Sequence, residues 1–349
     1  MAAPGARISW VAPTDVVDLF AGAGGLSLGL QMAGLVPVAA IEYDADACTT
    51  YRRHHPHAKV FEQDAATVDY GSLRGQVAVV AGGPPCQPFS VGGKRLAADD
   101  PRNGVPQFVR AVNEIRPAAF VMENVGGLAH STKREYFGSL VEQLCAADYE
   151  VSWRVLQAAC FGVPQNRSRL FLIGMRGRTF AWPAPALGPG TTGPFRASGS
   201  VVSAVPIGEP NLSGVTYARR PSLRPSPYHG HLYNGGGRPI DLAKPAPTLL
   251  ASMGGNKTPW VDAEGVAPAY HAHLLAGGAP RSGSVPGARR ITVAEAALLQ
   301  SFPVGHLFAG TRSSQYRQVG NAVPPLLGAA IGEALVRQLS GISGRKAGY

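Results

Sequence analysis

Cysteine is scarce in this chain: four in 349 residues, at positions 48, 86, 145 and 160, with no paired spacing. That excludes a disulfide framework and a cysteine-type zinc site, and favours a reducing, cytoplasmic setting. Long apolar runs are missing as well. None approaches the roughly 18–20 residues needed to cross a bilayer, and the N-terminus lacks the charged-then-apolar order of an export signal, so no membrane partner is expected. Acidic charge is thin in one region only. Residues 176–290 hold 12 Lys and Arg against 4 Asp and Glu, while the rest of the chain holds 20 against 18. Most of the net charge of +10 therefore falls in that segment. A surface that meets a polyanion such as nucleic acid has this imbalance, and so does a solvated, arginine-rich loop region.

What is present up to about residue 175 is alternation. "DVVDLF" (15–20) reads as a buried strand, "LSLGLQMAG" (26–34) as a helix closed by Gly34, and "VPVAAIE" (36–42) as a second strand followed by a helix through Tyr51. "QVAVVAG" (76–82) and "AAFVMEN" (118–124) are further strands. This order predicts an α/β fold, a doubly wound and mostly parallel sheet. "YEVSWRVLQA" and "SRLFLIGM", separated by a short connection, predict an antiparallel hairpin at its edge. From 180 to 287 the chain is rich in Pro, Gly and Ser, yet carries apolar anchors such as "PTLLAS" and "TPWVD". A second, smaller, loop-rich domain of short strands fits better than a linker. Helical periodicity returns at 292–300 and again from Pro324 to Leu339, where the last helix needs a partner for its apolar face.

In open parallel sheets ligands gather at the carboxyl ends of strands, and the polar clusters fall there. "DLFAGAGGLSLG" (18–29) is a strand, a glycine turn and a helix start, which lets a ligand approach the backbone closely. It is not the strict dinucleotide pattern, because Ser27 stands at the third glycine position; a nicotinamide dehydrogenase is thereby disfavoured. Glu42, in "IEYD" at the end of the second strand, is placed to accept from ribose hydroxyls, and Asp64 in "FEQDAA" can meet an adenine amino group. The competing reading is that these acids only cap helices.

Cys86 lies in "GGPPCQPFS" (82–90), a stiff non-helical turn that presents a thiol rather than packing it. Cys48, Cys145 and Cys160 read instead as buried structural cysteines. A reactive thiol needs a thiolate and a partner for charge developing on its target. Glu123 ends a neighbouring strand, and "QNRSR" places Arg167 and Arg169 two apart, on one face in a strand-like alternation. A thiol, a carboxyl and two guanidiniums suit attack on a polar heterocycle, with an adenosyl-type alkyl donor next door.

These residues resemble the DNA (cytosine-5) methyltransferases of bacterial type. The motifs are, in family order, "DLFAGAGGLSLG", "IEYD", "GGPPCQPFS", "MENV", "GVPQNRSRLFLIG", "RRITVAEAALLQSFP" and "QVGNAVPP". The resemblance implies a Rossmann-like domain at 1–179 and 288–349, a target-recognition domain at 180–287, S-adenosyl-L-methionine as cofactor, and double-stranded DNA as substrate. It implies addition of the Cys86 thiolate to C6 of a flipped-out cytosine, with Glu123 at N3 and the exocyclic amine. Arg167 would hold the base and Arg169 support it. Cofactor contacts carry over to Phe20, Gly22, Ala23, Gly24, Gly25, Glu42, Tyr43, Asp64, Ala65, Pro85, Val105, Asn321 and Ala322. The segment 91–104 would be a lid closing over DNA, with Ser90, Lys94 and Arg95 as DNA contacts and Pro106 altering where the next helix begins.

For recognition, Thr248, Asn256 and Lys257 are candidates to reach DNA, and Arg219 and Arg220 to meet phosphates. His229/His231 and His271/His273 have strand-face spacing, but no cysteine or acid cluster joins them, so no metal is expected. A monomer is expected, serving restriction–modification beside a cognate endonuclease on the same site without direct contact. Two alternatives stay open: the same chemistry on RNA, whose tRNA-acting branch usually shows "CFT" where this chain has "ARRITVAEAALLQ", and a non-catalytic nucleic-acid-binding protein on the same fold.

Overall fold

The computed structural model describes residues 14–85, 103–129 and 134–343. Cys86, Ser90, Lys94, Arg95 and the expected lid as far as residue 102 lie outside the described residues. By compactness the chain divides into two units, Met1–Leu156 with Ser168–Ala184 and Leu327–Tyr349, and Gln157–Arg167 with Pro185–Leu326.

The first unit is built on seven strands, β1 (Asp15–Leu19), β2 (Val36–Glu42), β3 (Lys59–Glu62), β4 (Val79–Gly82), β5 (Ala119–Val125), β6 (Glu150–Gln157) and β7 (Ser168–Met175). Their order is β3-β2-β1-β4-β5-β7-β6. β1 pairs in parallel with both β2 and β4, β4 with β5 and β2 with β3, whereas β7 runs antiparallel to β5. The chain leaves β1 toward β2 on one side and returns to β4 on the other, so the strand order reverses between β1 and β4. A crevice at the carboxyl ends follows from that reversal.

The central strands β1, β4, β5 and β7 are apolar and mostly buried because helices cover both faces of the sheet. On one face, Val17, Leu19, Ile41 and Phe120 pack with Phe108 and Val112 of α3 (Val105–Ile115) and Leu140 and Leu144 of α4 (Arg134–Ala146). On the other, Ala40 packs with Tyr51 of α2 (Ala45–His54). α1 (Gly25–Met32) follows the glycine turn. Pro106 sits in the first turn of α3, where its missing N–H costs nothing.

The second unit holds two small sheets, β8 (Tyr217–Ser222) with β9 (His231–Tyr233), and β10 (Pro239–Ile240), β11 (Trp260–Asp262) and β12 (Ala288–Arg290). An aromatic cluster of Tyr233, Trp260 and Tyr270 replaces a broad aliphatic core, with Tyr233 and Trp260 edge to face at 4.9 Å. Three helices complete it: α5 (Val266–Leu275), α6 (Val293–Leu299) and α7 (Arg312–Asn321). α6 opens on a reciprocal cap between Thr292 and Glu295.

The last helix, α8 (Pro325–Ser343), enters the first unit at Leu327. There Gly332 lies so close to α1 that a Cβ would stand 2.7 Å from that of Ala33. The apolar face thus finds the expected partner. Among the described residues the stretch Arg312–Leu339, which spans α7 and most of α8, is long and apolar enough to cross a membrane by composition, where none was expected to be, but 72% of its most apolar window is buried.

Two expectations change, and the compact units are bounded differently from the expected domains. Residues 157–167 and 288–326 group with the second unit, where Gln165, Arg167 and Gln300 bond to the backbone of 249 and 319–322. His271 and His273 lie on helix α5, not on a strand face; their Nε2 atoms lie 2.6 Å from the Arg224 carbonyl and 2.9 Å from the Ala279 carbonyl. Cys145 is exposed and Cys160 half-buried, so only Cys48 of the three is a buried cysteine.

Candidate active site

The parallel registers put Leu19, Ile41, Gly82 and Met122 in one row across β2, β1, β4 and β5. The residues one step beyond are Phe20, Glu42, Gly83 and Glu123, so four expected or adjacent site positions line the carboxyl edge of the sheet. Gly82 is required there: a Cβ would lie 2.4 Å from the Leu19 carbonyl oxygen.

The turn after β1 is left-handed at Phe20 (φ 55°), Gly22 (φ 53°) and Gly24 (φ 80°). A positive φ at Phe20, which is not glycine, is uncommon and marks an over-determined turn. Glu42 supplies the determinant. One carboxylate oxygen accepts the Gly22 N–H at 2.9 Å; the other accepts those of Tyr43 and Asp44, both at 2.9 Å. The carboxylate has lone pairs to spare for a ligand. Ala23, Gly24 and Gly25 are buried beneath the turn, while Tyr43 is 72% exposed. A Cβ at Gly22 would meet nothing within 4 Å, so the space beside the turn is open.

Ser27, the residue that breaks the dinucleotide pattern, has its own task. Its hydroxyl donates to Asp18 at 2.6 Å and lies 2.7 Å from the Tyr51 hydroxyl, all buried. Burial first, and then the nearby Glu42 charge, push the Asp18 carboxyl up to about 7, against the pull of the Ser27 hydrogen bond. The Tyr51 ring lies tilted against that of His55, at 4.4 Å between centroids, and burial holds the His55 imidazole down to about 4.

Asp64 caps the short turn Ala65–Thr67, accepting the Ala66 N–H at 2.8 Å through one oxygen. Ala65 is buried. Sequence reasoning missed what fixes this edge: Arg110 of α3 donates to the Ala65 and Val68 carbonyls at 2.8 and 3.1 Å and covers the Tyr70 ring. Val105, the first residue of α3, is buried.

The approach to Cys86 is gripped on both sides. Asn124 donates to the Pro84 carbonyl at 2.9 Å, and the Gly104 N–H donates to the Pro85 carbonyl at 2.9 Å. Gly104 closes against Pro85 and the Phe20 ring so tightly that a Cβ would fall 2.6 Å from Pro85 Cδ. The asparagine of "MENV" thus holds the Pro84 carbonyl. Glu123 is nearly buried, and a Cβ on Gly83 would lie 3.1 Å from its Oε2.

Of the two arginines, Arg169 meets the carboxylate: its Nε stands 2.8 Å from Glu123 Oε1, with both side chains at most 13% exposed. Arg167 belongs to the second unit and is fully buried. Its guanidinium donates to the carbonyls of Leu249 (3.0 Å), Gly320 (2.7 Å) and Ala322 (3.0 Å). The two arginines thus have different partners, a carboxylate for Arg169 and backbone carbonyls for Arg167. Gln165 and Gln300 extend this network: the Gln165 oxygen accepts the Leu249 N–H at 2.9 Å, and Gln300 donates to the Ala322 carbonyl at 2.7 Å. Neither glutamine was anticipated, although both stand inside the motifs "PQNRSR" and "LLQSFP". Asn321 and Ala322 end α7 in this same unit.

The expected DNA contacts that fall among the described residues are surface residues of the second unit. Arg219 and Arg220 are exposed on β8. Thr248, exposed, donates its hydroxyl to the Asn166 carbonyl at 2.6 Å, and Asn256 and Lys257 stand exposed in a short 3₁₀ turn.

A family model described as C-5 cytosine-specific DNA methylase matches residues 14–187 and 250–337. The chain belongs to that family. As a DNA cytosine-5 methyltransferase it has relatives of comparable length. The Type II methyltransferase M1.HphI of Haemophilus parahaemolyticus is 36% identical over 333 residues, covering 92% of this methylase and 86% of the relative. The Type II methyltransferase M.PspPI of a Psychrobacter species is 34% identical over 345 residues, covering 93% and 80%. The solved structure of a Spodoptera frugiperda DNMT2 variant shares the fold, with a TM-score of 0.69 at 18% identity over 92% of this chain and 99% of that one.

Proposed function

We propose that this methylase modifies C5 of a flipped-out cytosine within a specific duplex sequence, through a covalent bond between Cys86 and C6. The observation that carries the reading is the Glu123–Arg169 pair beside the gripped Pro84–Pro85 turn that leads to Cys86. C5 of an aromatic cytosine is a poor nucleophile. Addition of the Cys86 thiolate at C6 breaks the aromaticity and makes C5 enamine-like, while Glu123 hydrogen-bonds N3 and the exocyclic amine. After C5 is methylated, loss of its proton and departure of the thiolate restore the ring. Arg169 keeps Glu123 oriented and, on this geometry, is the arginine beside the base; Arg167 positions the backbone of the second unit. The base must leave the stack because C5 and C6 are inaccessible in a duplex.

S-adenosyl-L-methionine, when bound, supplies an electrophilic methyl group. The residues fit it: an open turn at Gly22, the Glu42 carboxylate for ribose hydroxyls, the exposed Tyr43 ring and Phe20 for the adenine, and Asp64 with Ala65 at its edge. Residues 180–287 read the target sequence, and double-stranded DNA is the substrate in a restriction–modification setting, in keeping with the Type II methyltransferases among its relatives.

Transfer of labelled methyl groups to DNA and to RNA, followed by sequencing of the modified sites, tests the reading. Methylation of one cytosine in a short duplex motif, abolished in Cys86→Ala, is expected. Transfer to RNA alone, or transfer undiminished in that variant, overturns it. Exchange of 180–287 with a relative's segment is expected to move the motif and leave the chemistry.

A further inference from the structure

Two helices of the first unit are pinned together beside the glycine turn, and the pins have matching spacing. Ser27 and Gln31 lie one helical turn apart on α1, and Tyr51 and His55 lie one turn apart at the end of α2. Each pair therefore lines one face of its helix. The Tyr51 hydroxyl stands 2.7 Å from Ser27 Oγ, and His55 Nδ1 stands 3.0 Å from Gln31 Oε1. These are two rungs of a ladder. Ser27 also ties the first rung to β1, donating to Asp18 at 2.6 Å. Tyr51 and His55 are both buried.

Gly24 rests against the ladder. Its N–H donates to the Ala21 carbonyl at 2.9 Å and closes the turn; its carbonyl accepts the Leu28 N–H at 2.8 Å and opens α1. A Cβ on Gly24 would stand 2.8 Å from His55 Nε2 and 3.0 Å from both His55 Cδ2 and Tyr51 Cδ2. The two ring edges thus block any movement of this backbone toward α2. No side chain caps the helix at Gly24. A turn that is left-handed at Phe20 as well as at its glycines persists only where its surroundings over-determine it. Glu42 holds the Gly22 N–H, and the rings hold Gly24.

We infer that His55 and Tyr51 are positioning residues for the cofactor: by fixing Gly24 they set how tightly the turn binds S-adenosyl-L-methionine, and they leave the transfer step to other groups. A turn already held in its binding shape loses less freedom when a ligand arrives. Ser27 stands at the third glycine position of the dinucleotide pattern, and its hydroxyl has this use: it anchors one of the two rings. The inference rests on the reading of this turn as the cofactor site.

Calorimetric titration with S-adenosylhomocysteine tests it, with melting temperature as the folding control. The titrations are run at about pH 8, far above the value of about 4 at which His55 gains its proton. His55→Asn keeps a polar group for Gln31 but withdraws the ring edge from Gly24; His55→Ala removes both; His55→Gln reaches again to where Nε2 stands. Binding is expected to weaken by about tenfold in the Ala and Asn variants and to recover to within about threefold of wild type in His55→Gln. The loss is expected in KM, with the single-turnover rate at saturating cofactor retained. Gln31 is exposed, so Gln31→Ala keeps the fold and frees the ring; the Gly24 and Gly25 amides are then expected to exchange with solvent faster than in wild type. Unchanged exchange in Gln31→Ala overturns the inference. So does wild-type affinity in His55→Ala or His55→Asn, or a loss confined to the transfer rate, and the rings are then core packing alone. Wild type that binds no S-adenosylhomocysteine overturns the cofactor reading itself, which keeps the two failures distinct.

Discussion

Glu123 and Arg169 form a diagonal pair across two antiparallel strands. β5 and β7 align Glu123 with Phe171 and Val125 with Arg169, so the acid and the base lie on one face, two residues out of register, and close to 2.8 Å. The antiparallel insertion of β7 into an otherwise parallel sheet is what delivers a guanidinium to the carboxyl end of β5. Diagonal neighbours of this kind are reachable only by long side chains, which arginine supplies.

That pair should split into two kinetic and thermodynamic effects. Glu123→Gln keeps the shape but not the charge, and the methyl-transfer rate in a single turnover is expected to fall by about 10²–10⁴-fold. Arg169→Ala leaves a nearly buried carboxylate without this partner. Beyond lost transfer, it is expected to destabilise the protein by about 3 kcal/mol in denaturant unfolding. A full rate in Glu123→Gln contradicts the assignment.

Glu42 uses both oxygens as acceptors for three backbone N–H groups. Glutamine at this position turns one acceptor into a donor facing a donor. The turn at Gly22 should then loosen, at a cost of about 1–3 kcal/mol for the polar group left unsatisfied. Calorimetric titration with S-adenosylhomocysteine is expected to show binding weakened by about tenfold or more, with Asp64→Asn, which keeps one acceptor oxygen for its cap, affected less.

At Gly82 the obstacle is backbone, which cannot rotate away. Gly82→Ala would set a methyl 2.4 Å from the Leu19 oxygen, prising β1 from β4 at the point where the chain turns toward Cys86. A loss of about 1–3 kcal/mol is expected from such overpacking, with transfer reduced beyond what the lower folded fraction explains. Gly22→Ala, with open space for the methyl but a φ of 53°, should be milder in stability.

Local patterns in the sequence disclosed the first unit well. β2 matches its apolar run end to end, and α1 stops where Gly34 takes a left-handed φ of 92°. What stayed hidden depends on distant partners. No local signal distinguishes Arg167 from Arg169, because the difference lies in which carbonyls and carboxylate the fold brings to each. α5 and α7 were concealed for a related reason: α5 is apolar without a clear stripe, and α7, "RSSQYRQVGN", is mostly polar and is stabilised by its Thr311 cap and contacts of Tyr316 rather than by an apolar face.

The buried chain Asp18–Ser27–Tyr51–His55 makes a prediction about pH in which two groups oppose each other. Asp18, raised from 3.8 to about 7, binds a proton in the folded state at pH values where the unfolded chain has lost it. Its contribution is complete below about pH 4 and is lost as pH rises through about 7. His55, lowered from 6.5 to about 4, works the other way: its contribution is complete above about pH 6.5 and is lost as pH falls through about 4. Between those limits both side chains are neutral in the folded protein, and their slopes of stability with pH cancel in part. Single variants separate them. Relative to wild type, Asp18→Asn is expected to gain stability as pH rises from about 4 to 7, and His55→Phe to lose it from about 4 to 6.5. Denaturant unfolding of the three proteins across that range measures both differences. Parallel curves for wild type and Asp18→Asn mean that Asp18 is ionised in the folded protein at neutral pH, its charge carried by the Ser27 hydrogen bond despite its burial.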